Sequence, residues 1–404
     1  MQRGQRKRIG YRKSRNGCLR CKRRRVKCDE NVPCTSCARH HEPCSLETSA
    51  QQTRDTRTQV AVPSGLDMNR SRVSPSGNNS VNPFQFLFDE ETDEPECWIS
   101  NAELVFHYAN VSSHSLQVFS EDLATTFQVI VPREAVSHSY LLRAVMAFSA
   151  YHLAHLTTDK RPYYNLLAAK HQGHAISGLR ETLKDPITEE NCHAMYLASV
   201  FLAVNKFAAF PSCGHRSGGC CNPIDSLAEV FHLIYGMSTI LRSSEESIRN
   251  GSLKAIFSQV GNPMEAVDET NLLCQRLSGL QTEIESSALD EGTKQDLSGA
   301  VQTLMACFID ASTRVTKKCP NEIRVIFSWP GLVPRRFPGL VKACHPAALV
   351  VVAYYGYLIY LSENYWFLQG WSNSLKGFIL KKLNDSSWRE MAQWPLSMIG
   401  SRGE

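Results

Sequence analysis

Six cysteines near the start of the chain have a spacing that suits metal binding. They form two trios of the same pattern, Cx2Cx6C, and the second trio follows the first by 16 residues. Thiolates separated by two residues can converge on one tetrahedral metal, for which zinc is the usual ion. Two tetrahedral zinc ions need eight ligand positions, so two of the six thiolates must each bind both ions. The sequence therefore predicts a binuclear zinc cluster with the metal ligands Cys18, Cys21, Cys28, Cys34, Cys37 and Cys44.

Basic residues are concentrated in the first half of this segment. The second half has only Arg39 at the matching place, between its second and third cysteines. Because lysine and arginine bind phosphate, one-sided charge of this kind indicates contact with nucleic acid. The candidate nucleic-acid-binding residues are Lys22, Arg23, Arg24, Arg25 and Lys27.

The repeated spacing and the one-sided charge resemble the fungal Zn2Cys6 binuclear-cluster transcription factors, whose cysteine pattern is met at every interval. This resemblance implies two Zn2+ ions per chain, with Cys18 and Cys34 as the bridging thiolates. It also implies a short helix in the major groove, where Arg24 and Arg25 would meet a CGG-type triplet and the other basic residues would mostly hold phosphates. Arginine suits base contact because its planar guanidinium can donate two hydrogen bonds to guanine.

A disulfide framework is the alternative interpretation of six cysteines. The segment is rich in lysine and arginine and no signal peptide precedes it, which fits a reducing compartment and favours zinc. The remaining nine of the 15 cysteines are scattered along the chain and form no visible framework.

Charge is distributed unevenly along the 404 residues, of which 43% are hydrophobic. Residues 1–44 hold 14 lysines and arginines against 3 acids, a formal charge of +11, whereas the remainder of the chain carries −6. We therefore expect the N-terminal part alone to contact nucleic acid. Residues 1–17 form a basic arm without an apolar signal-peptide region, so they are expected to serve as a nuclear import signal, a phosphate clamp, or both. The predicted location is the nucleus.

Residues 45–97 are predicted to be a linker, largely disordered, because they are rich in Ser, Thr, Gln, Asn, Pro and Gly. No sustained apolar heptads occur there, so a homodimer, if one forms, must use another surface than a linker coiled coil. Residues 84–96 mix phenylalanine with acidic residues, a composition shared by activation segments and by the entry into a following domain.

Residues 98–400 are predicted to form an all-α domain, because apolar residues recur there at helical spacing. Residues 347–361 are an unbroken apolar or aromatic run of 15, which is too short to span a membrane and predicts a buried core helix. Residues 243–295 are polar and weakly periodic, so a long loop or irregular helices are expected. The apolar faces are assigned to Leu104, Val105, Tyr108 and Val111; to Leu142, Val145, Ser149, His152, Leu153 and Leu156; to Leu227, Phe231, Ile234 and Leu241; and to Leu297, Val301, Leu304, Met305 and Phe308.

Two other places could in principle bind metal. Cys213, His215, Cys220 and Cys221 lie in a glycine-rich stretch, but adjacent cysteines converge poorly on one tetrahedral centre, so a variable exposed loop is favoured. His152 lies on an apolar helix face, which favours a core histidine over a ligand or a base.

The body resembles the regulatory domain of the fungal sterol uptake control protein group over residues 102–116, 131–156, 345–371 and 386–400. This resemblance implies an all-helical, ligand-sensing domain, with a sterol or another apolar molecule as ligand. Shorter members regulate other pathways, including secondary-metabolite clusters, so both kinds of pathway stay open.

Together these features predict a sequence-specific, zinc-dependent transcription factor that binds double-stranded DNA with CGG-like half-sites and contacts the transcription machinery. A repressor or a cofactor scaffold with DNA affinity is the alternative. The body has no GxSxG, HExxH, P-loop or GxGxxG motif, so an enzyme is not expected. We also expect no membrane span.

Overall fold

The structure is a computed structural model that describes most of the chain outside the predicted arm and linker. The chain divides into two compact units, Met1–Asn78 and Asn79–Glu404, and each is described by itself. The described residues are 18–24, 26–40, 44–46, 96–119, 121–213, 222–257, 268–313 and 321–400.

Several sequence predictions therefore lie outside the described residues. These are the basic arm, the linker from residue 47 to residue 95, and most of the acidic segment within that linker. The proposed contact between Arg25 and a DNA base and the second candidate metal site around His215 also lie outside them. The domain boundaries at 1–17, 18–44, 45–97 and 98–400 stay predictions. The predicted fold class is confirmed, because a small cysteine-rich unit is followed by a helical domain and no strand occurs among the described residues.

The N-terminal unit contains two five-residue helices, α1 (Leu19–Arg23) and α2 (Thr35–Arg39). Each begins directly after the first cysteine of its trio, so the structural repeat follows the sequence repeat. Helices this short do not persist alone in water. Their stability must come from the buried cysteines between them, which form their own cluster with Leu46 packed against it.

The body consists of helices joined by short turns. Its α-helices are α3 (Glu96–His107), α4 (Glu121–Thr125), α5 (Val131–Ser137), α6 (Ser139–Leu156), α7 (Arg161–Thr182), α8 (Cys192–Cys213), α9 (Pro223–Ser243), α10 (Glu245–Asn250), α11 (Lys254–Phe257), α12 (Asp268–Ser286), α13 (Glu291–Thr313), α14 (Asn321–Ser328), α15 (Phe337–Lys342), α16 (Pro346–Leu361), α17 (Trp371–Lys382) and α18 (Arg389–Met398).

The predicted core helix is α16. Every residue from Ala347 to Ile359 is buried, and Pro346 lies in the first turn, where its missing N–H costs no hydrogen bond. Five helices pack around it, namely α13, α14, α15, α17 and α18. Its Tyr355 hydroxyl donates to the Ile326 carbonyl of α14 at 2.8 Å, so a polar group in the core is satisfied.

A second layer is built from α6, α7 and α8, which pack against one another. The Cys192–Phe210 segment of α8 is long and apolar enough to cross a membrane, but 78% of it is buried inside the fold. The predicted core histidine, His152, lies in α6 and is 6% exposed. Its Nδ1 atom lies 3.1 Å from Nε2 of His107. Burial lowers the pKa of His152 to about 4.

Three details of the sequence analysis are wrong. Val105 and Val111 are 39% and 42% exposed. Val105 lies outside the stripe that buried Leu104 and Tyr108 form at a spacing of four residues. Val111 lies in a π-helical turn, Tyr108–Ser112, which shifts the register of the apolar face. Leu156 is 54% exposed at the end of its helix. Much of the stretch expected to be irregular is the regular 19-residue helix α12.

Candidate metal centre and nucleic-acid interface

The six cysteines of the N-terminal unit are brought together and buried. Their exposed fractions are 3% or less. Their sulfur atoms form two groups of four, and within each group all sulfurs lie within 4.8 Å of one another. Cys18 and Cys34 belong to both groups. Cys21 and Cys28 complete the first group, and Cys37 and Cys44 complete the second.

The distances between these sulfurs fit zinc. Cys18 Sγ lies 3.6 Å from Cys34 Sγ and 3.7 Å from Cys37 Sγ, and Cys21 Sγ lies 3.7 Å from Cys34 Sγ. Four sulfurs around a tetrahedral zinc, at a Zn–S distance of about 2.3 Å, are about 3.8 Å apart. The donor set therefore suits two zinc ions that share two thiolates.

Backbone N–H groups support the thiolates in the same way in both halves. The N–H of Cys21 donates to Cys18 Sγ at 3.4 Å, and the N–H of Cys37 donates to Cys34 Sγ at 3.4 Å. The bond from Cys21 is the largest of several that together lower the pKa of the Cys18 thiol to about 6. The equivalent bond from Cys37 acts in the same direction on the Cys34 thiol, but burial and the neighbouring thiols outweigh it and raise the pKa of Cys34. Since metal binding requires the deprotonated sulfur, such a bond favours the ligand form of a shared cysteine.

The basic side chains lie on the surface of the first half. Lys22 and Arg23 occupy the last turn of α1, Arg24 caps its C-terminal end, and these side chains and that of Lys27 are exposed. Lys22, Arg23 and Arg24 correspond to Ala38, Arg39 and His40 in the second half. The charge asymmetry of the sequence is thus an asymmetry between the two helices.

Two residues of the site were missed by the sequence analysis. Asp29 follows the third cysteine of the first half, and Ser45 follows the third cysteine of the second half. Asp29 accepts hydrogen bonds from Thr35, which hold the pKa of its carboxyl below the ordinary value. Ser45 Oγ accepts from the backbone N–H of Leu19 at 3.0 Å. Asp29 and Ser45 occupy matching positions of the 16-residue repeat, which was the available sign in the sequence that they could have equivalent roles.

The site and the helical body together define a protein that combines a DNA-binding zinc unit with a separate helical domain. Comparison with known families agrees with both parts. Residues 16–53 match the fungal Zn(2)-Cys(6) binuclear cluster domain, and residues 103–248 match the fungal specific transcription factor domain.

Relatives resemble the chain over most of its length. A Zn(2)-C6 fungal-type transcription factor of Gibberella zeae is 25% identical over 96% of this chain and 86% of the relative. The Zn(2)-C6 fungal-type transcription factor afumD of Aspergillus fumigatus is 25% identical over 85% of this chain and 84% of the relative. Sterol uptake control protein 2 of Candida albicans is 23% identical over 76% of this chain, which spans 44% of that protein.

The chain thus matches both a fungal Zn2Cys6 binuclear cluster domain and a fungal specific transcription factor domain, and it is similar to fungal transcription factors of the Zn(2)-C6 type. The predicted family resemblance, the DNA-binding transcription-factor class and the two zinc ions per chain are confirmed.

Proposed function

We propose that this transcription factor acts in the nucleus and reads a CGG-type triplet through Arg24 and Arg25, while Lys22, Arg23 and Lys27 bind phosphates. The observation that carries this proposal is the pair of sulfur groups that share Cys18 and Cys34, with one basic helix beside them.

All six cysteines are the proposed zinc ligands, and the two shared ones are the proposed bridges. Zinc would cross-link a segment that has little apolar core of its own. The exposed basic side chains follow buried Cys21 directly and precede buried Cys28, so both ends of the basic segment are fixed to the cluster. A reading surface held in this way is ordered before it meets DNA, which lowers the entropic cost of specific binding.

Replacing Arg24 by alanine is expected to weaken binding to a CGG-containing duplex by about 1–3 kcal/mol, because two hydrogen bonds to guanine are lost. Affinity for a scrambled duplex of the same length should change less. The matched control is His40→Ala, which alters the corresponding position of the second half. Titration of the full chain with both duplexes at one salt concentration gives the two affinities. An equal loss on both duplexes for Arg24→Ala would refute base reading.

The helical body is proposed to carry the regulatory input, with a sterol or another apolar metabolite as its ligand. Likeness to the sterol uptake control protein supports a sterol-related pathway. The names of the two other relatives state no pathway, so regulation of a secondary-metabolite pathway stays the second form of the proposal. Mapping chromatin occupancy of the full chain would identify the neighbouring genes and decide between the two.

A groove between α17 and α18 is a candidate ligand site in the body. Its volume is about 580 Å3, within the range of small-molecule sites. Leu383, Ala392 and Leu396 form a buried apolar floor, and Leu380, which is 41% exposed, lies at the surface. An apolar ligand would cover Leu380, and the polar side chains that also line the groove, among them Lys376 and Glu390, could contact a hydroxyl group of that ligand.

A ligand that binds only the folded body is expected to raise its melting temperature. At a hundredfold excess over Kd, the stabilisation should be about 2.7 kcal/mol. Thermal unfolding of the full chain with a panel of sterols and apolar metabolites measures the shift. Leu380→Glu should remove it, whereas Leu332→Glu, which changes an exposed leucine outside the groove, should not.

A shift that survives Leu380→Glu would place the ligand elsewhere in the body. The absence of any shift in the wild-type chain would end the sensor proposal and leave the body as a domain that binds protein partners.

A further inference from the structure

The two halves of the zinc unit cap each other's helices. Thr35 is the first residue of α2, and its N–H donates to both carboxylate oxygens of Asp29, at 3.1 and 3.2 Å. Its hydroxyl also donates to Asp29. Leu19 is the first residue of α1, and its N–H donates to Ser45 Oγ at 3.0 Å.

These two contacts are equivalent under the 16-residue repeat. Asp29 corresponds to Ser45, and Thr35 corresponds to Leu19. In each case the residue after the third cysteine of one half accepts from the first helical N–H of the other half. Aspartate and serine are both effective acceptors at helix N-termini. The exchange is therefore reciprocal, although the two capping residues differ.

The cap on α1 bears on DNA recognition. This helix has only five residues, so its first N–H groups have no partner within the helix and depend on outside acceptors. The same short helix ends with Lys22 and Arg23, and Arg24 is its C-cap residue. A change in its orientation about the cluster would therefore move all three side chains.

We propose that Ser45 is a positioning residue for DNA recognition. By holding the N-terminus of α1 from the other half, it sets the direction in which the basic helix meets the bases. The second half thus contributes to sequence specificity without contacting a base, although it has only a single arginine between its second and third cysteines. This inference rests on the proposed reading of CGG by α1.

The test is the ratio of affinities of the full chain for a CGG-containing duplex and a scrambled duplex. Ser45→Ala is expected to lower this ratio about fivefold, the size expected from the loss of one helix cap. Ser45→Thr keeps the hydroxyl and should retain the wild-type ratio. Asp29→Ala removes the equivalent cap from α2, and we expect it to change the ratio by less than twofold, because α2 carries only one basic residue.

Removing the negative charge of Asp29 changes the affinities for both duplexes alike, so the ratio of the two affinities is insensitive to that charge. A chain with both Asp29→Ser and Ser45→Asp keeps an acceptor at each position, so it should retain most of the wild-type ratio of the two affinities. Zinc stoichiometry by native mass spectrometry should stay at two in every variant. Hydrogen exchange of the peptide that contains Leu19 should be faster in Ser45→Ala, which reports the loosened helix directly.

Arg24→Ala in the same experiment separates the two proposals. A lowered ratio for Arg24→Ala with an unchanged ratio for Ser45→Ala would overturn the positioning role and leave base reading intact. An unchanged ratio for Arg24→Ala would refute the proposed reading itself. Loss of zinc in Ser45→Ala would also overturn the inference, because the residue would then serve the stability of the cluster and not its orientation.

Discussion

Replacing Cys18 by alanine is expected to remove both zinc ions from the chain, whereas replacing Cys44 should leave one. Cys18 belongs to both sulfur groups, so its loss leaves each with three thiolates. Cys44 belongs to one group only, and the group of Cys18, Cys21, Cys28 and Cys34 stays complete in its absence. Structural zinc sites almost always have four ligands. Native mass spectrometry of the full chain counts the bound ions.

Cys34→Ala should behave as Cys18→Ala does, because both cysteines are shared. Cys344→Ala is the matched control, since this partly exposed cysteine lies in the body. Its zinc content should be that of the wild-type chain. A chain with Cys18→Ala that still holds one zinc ion tightly would contradict the shared-thiolate arrangement.

Zinc removal is expected to unfold the N-terminal unit and to abolish sequence-specific DNA binding. The buried cluster of this unit consists of the six cysteines, with Leu46 packed against them, so few other contacts remain without metal. Structural zinc contributes about 10–16 kcal/mol in comparable small domains. The body has its own extensive apolar core and should keep its melting temperature.

Chelation of the full chain followed by hydrogen exchange, DNA titration and calorimetry measures these effects. Readdition of zinc should restore DNA binding and provides the control for irreversible damage. Sequence-specific binding that persists in a chain shown by mass to be free of zinc would contradict the prediction. So would a parallel fall in the melting temperature of the body.

The metal site could be predicted from the sequence because its information is local. Cysteine spacing determines which sulfurs can converge, and the grouping around Cys18 and Cys34 agrees with the bridges that the family resemblance implied. Capping by Asp29 and Ser45 was missed because each bond joins different halves of the repeat. The bond from Leu19 to Ser45 spans 26 residues, and the 16-residue repeat pairs Asp29 with Ser45 without indicating which residue either of them contacts.

The body shows the same distinction between strong and weak patterns. The core helix α16 was predicted because it is apolar on every side. The helix α12 was missed because most of its residues are polar. Its buried side chains, Leu273, Leu277, Leu280 and Ile284, follow a regular helical spacing nonetheless. A helix that buries one narrow stripe gives a weaker composition signal than one that is buried all round.

Selection of bound sequences from a random DNA pool by the full chain, with and without zinc, measures whether a binuclear zinc cluster presents a basic segment that reads DNA sequence. The zinc-loaded chain is predicted to enrich CGG triplets, and the zinc-free chain is predicted to enrich none. Enrichment of the same triplets without zinc, or no enrichment by a chain that carries both zinc ions, would contradict the account.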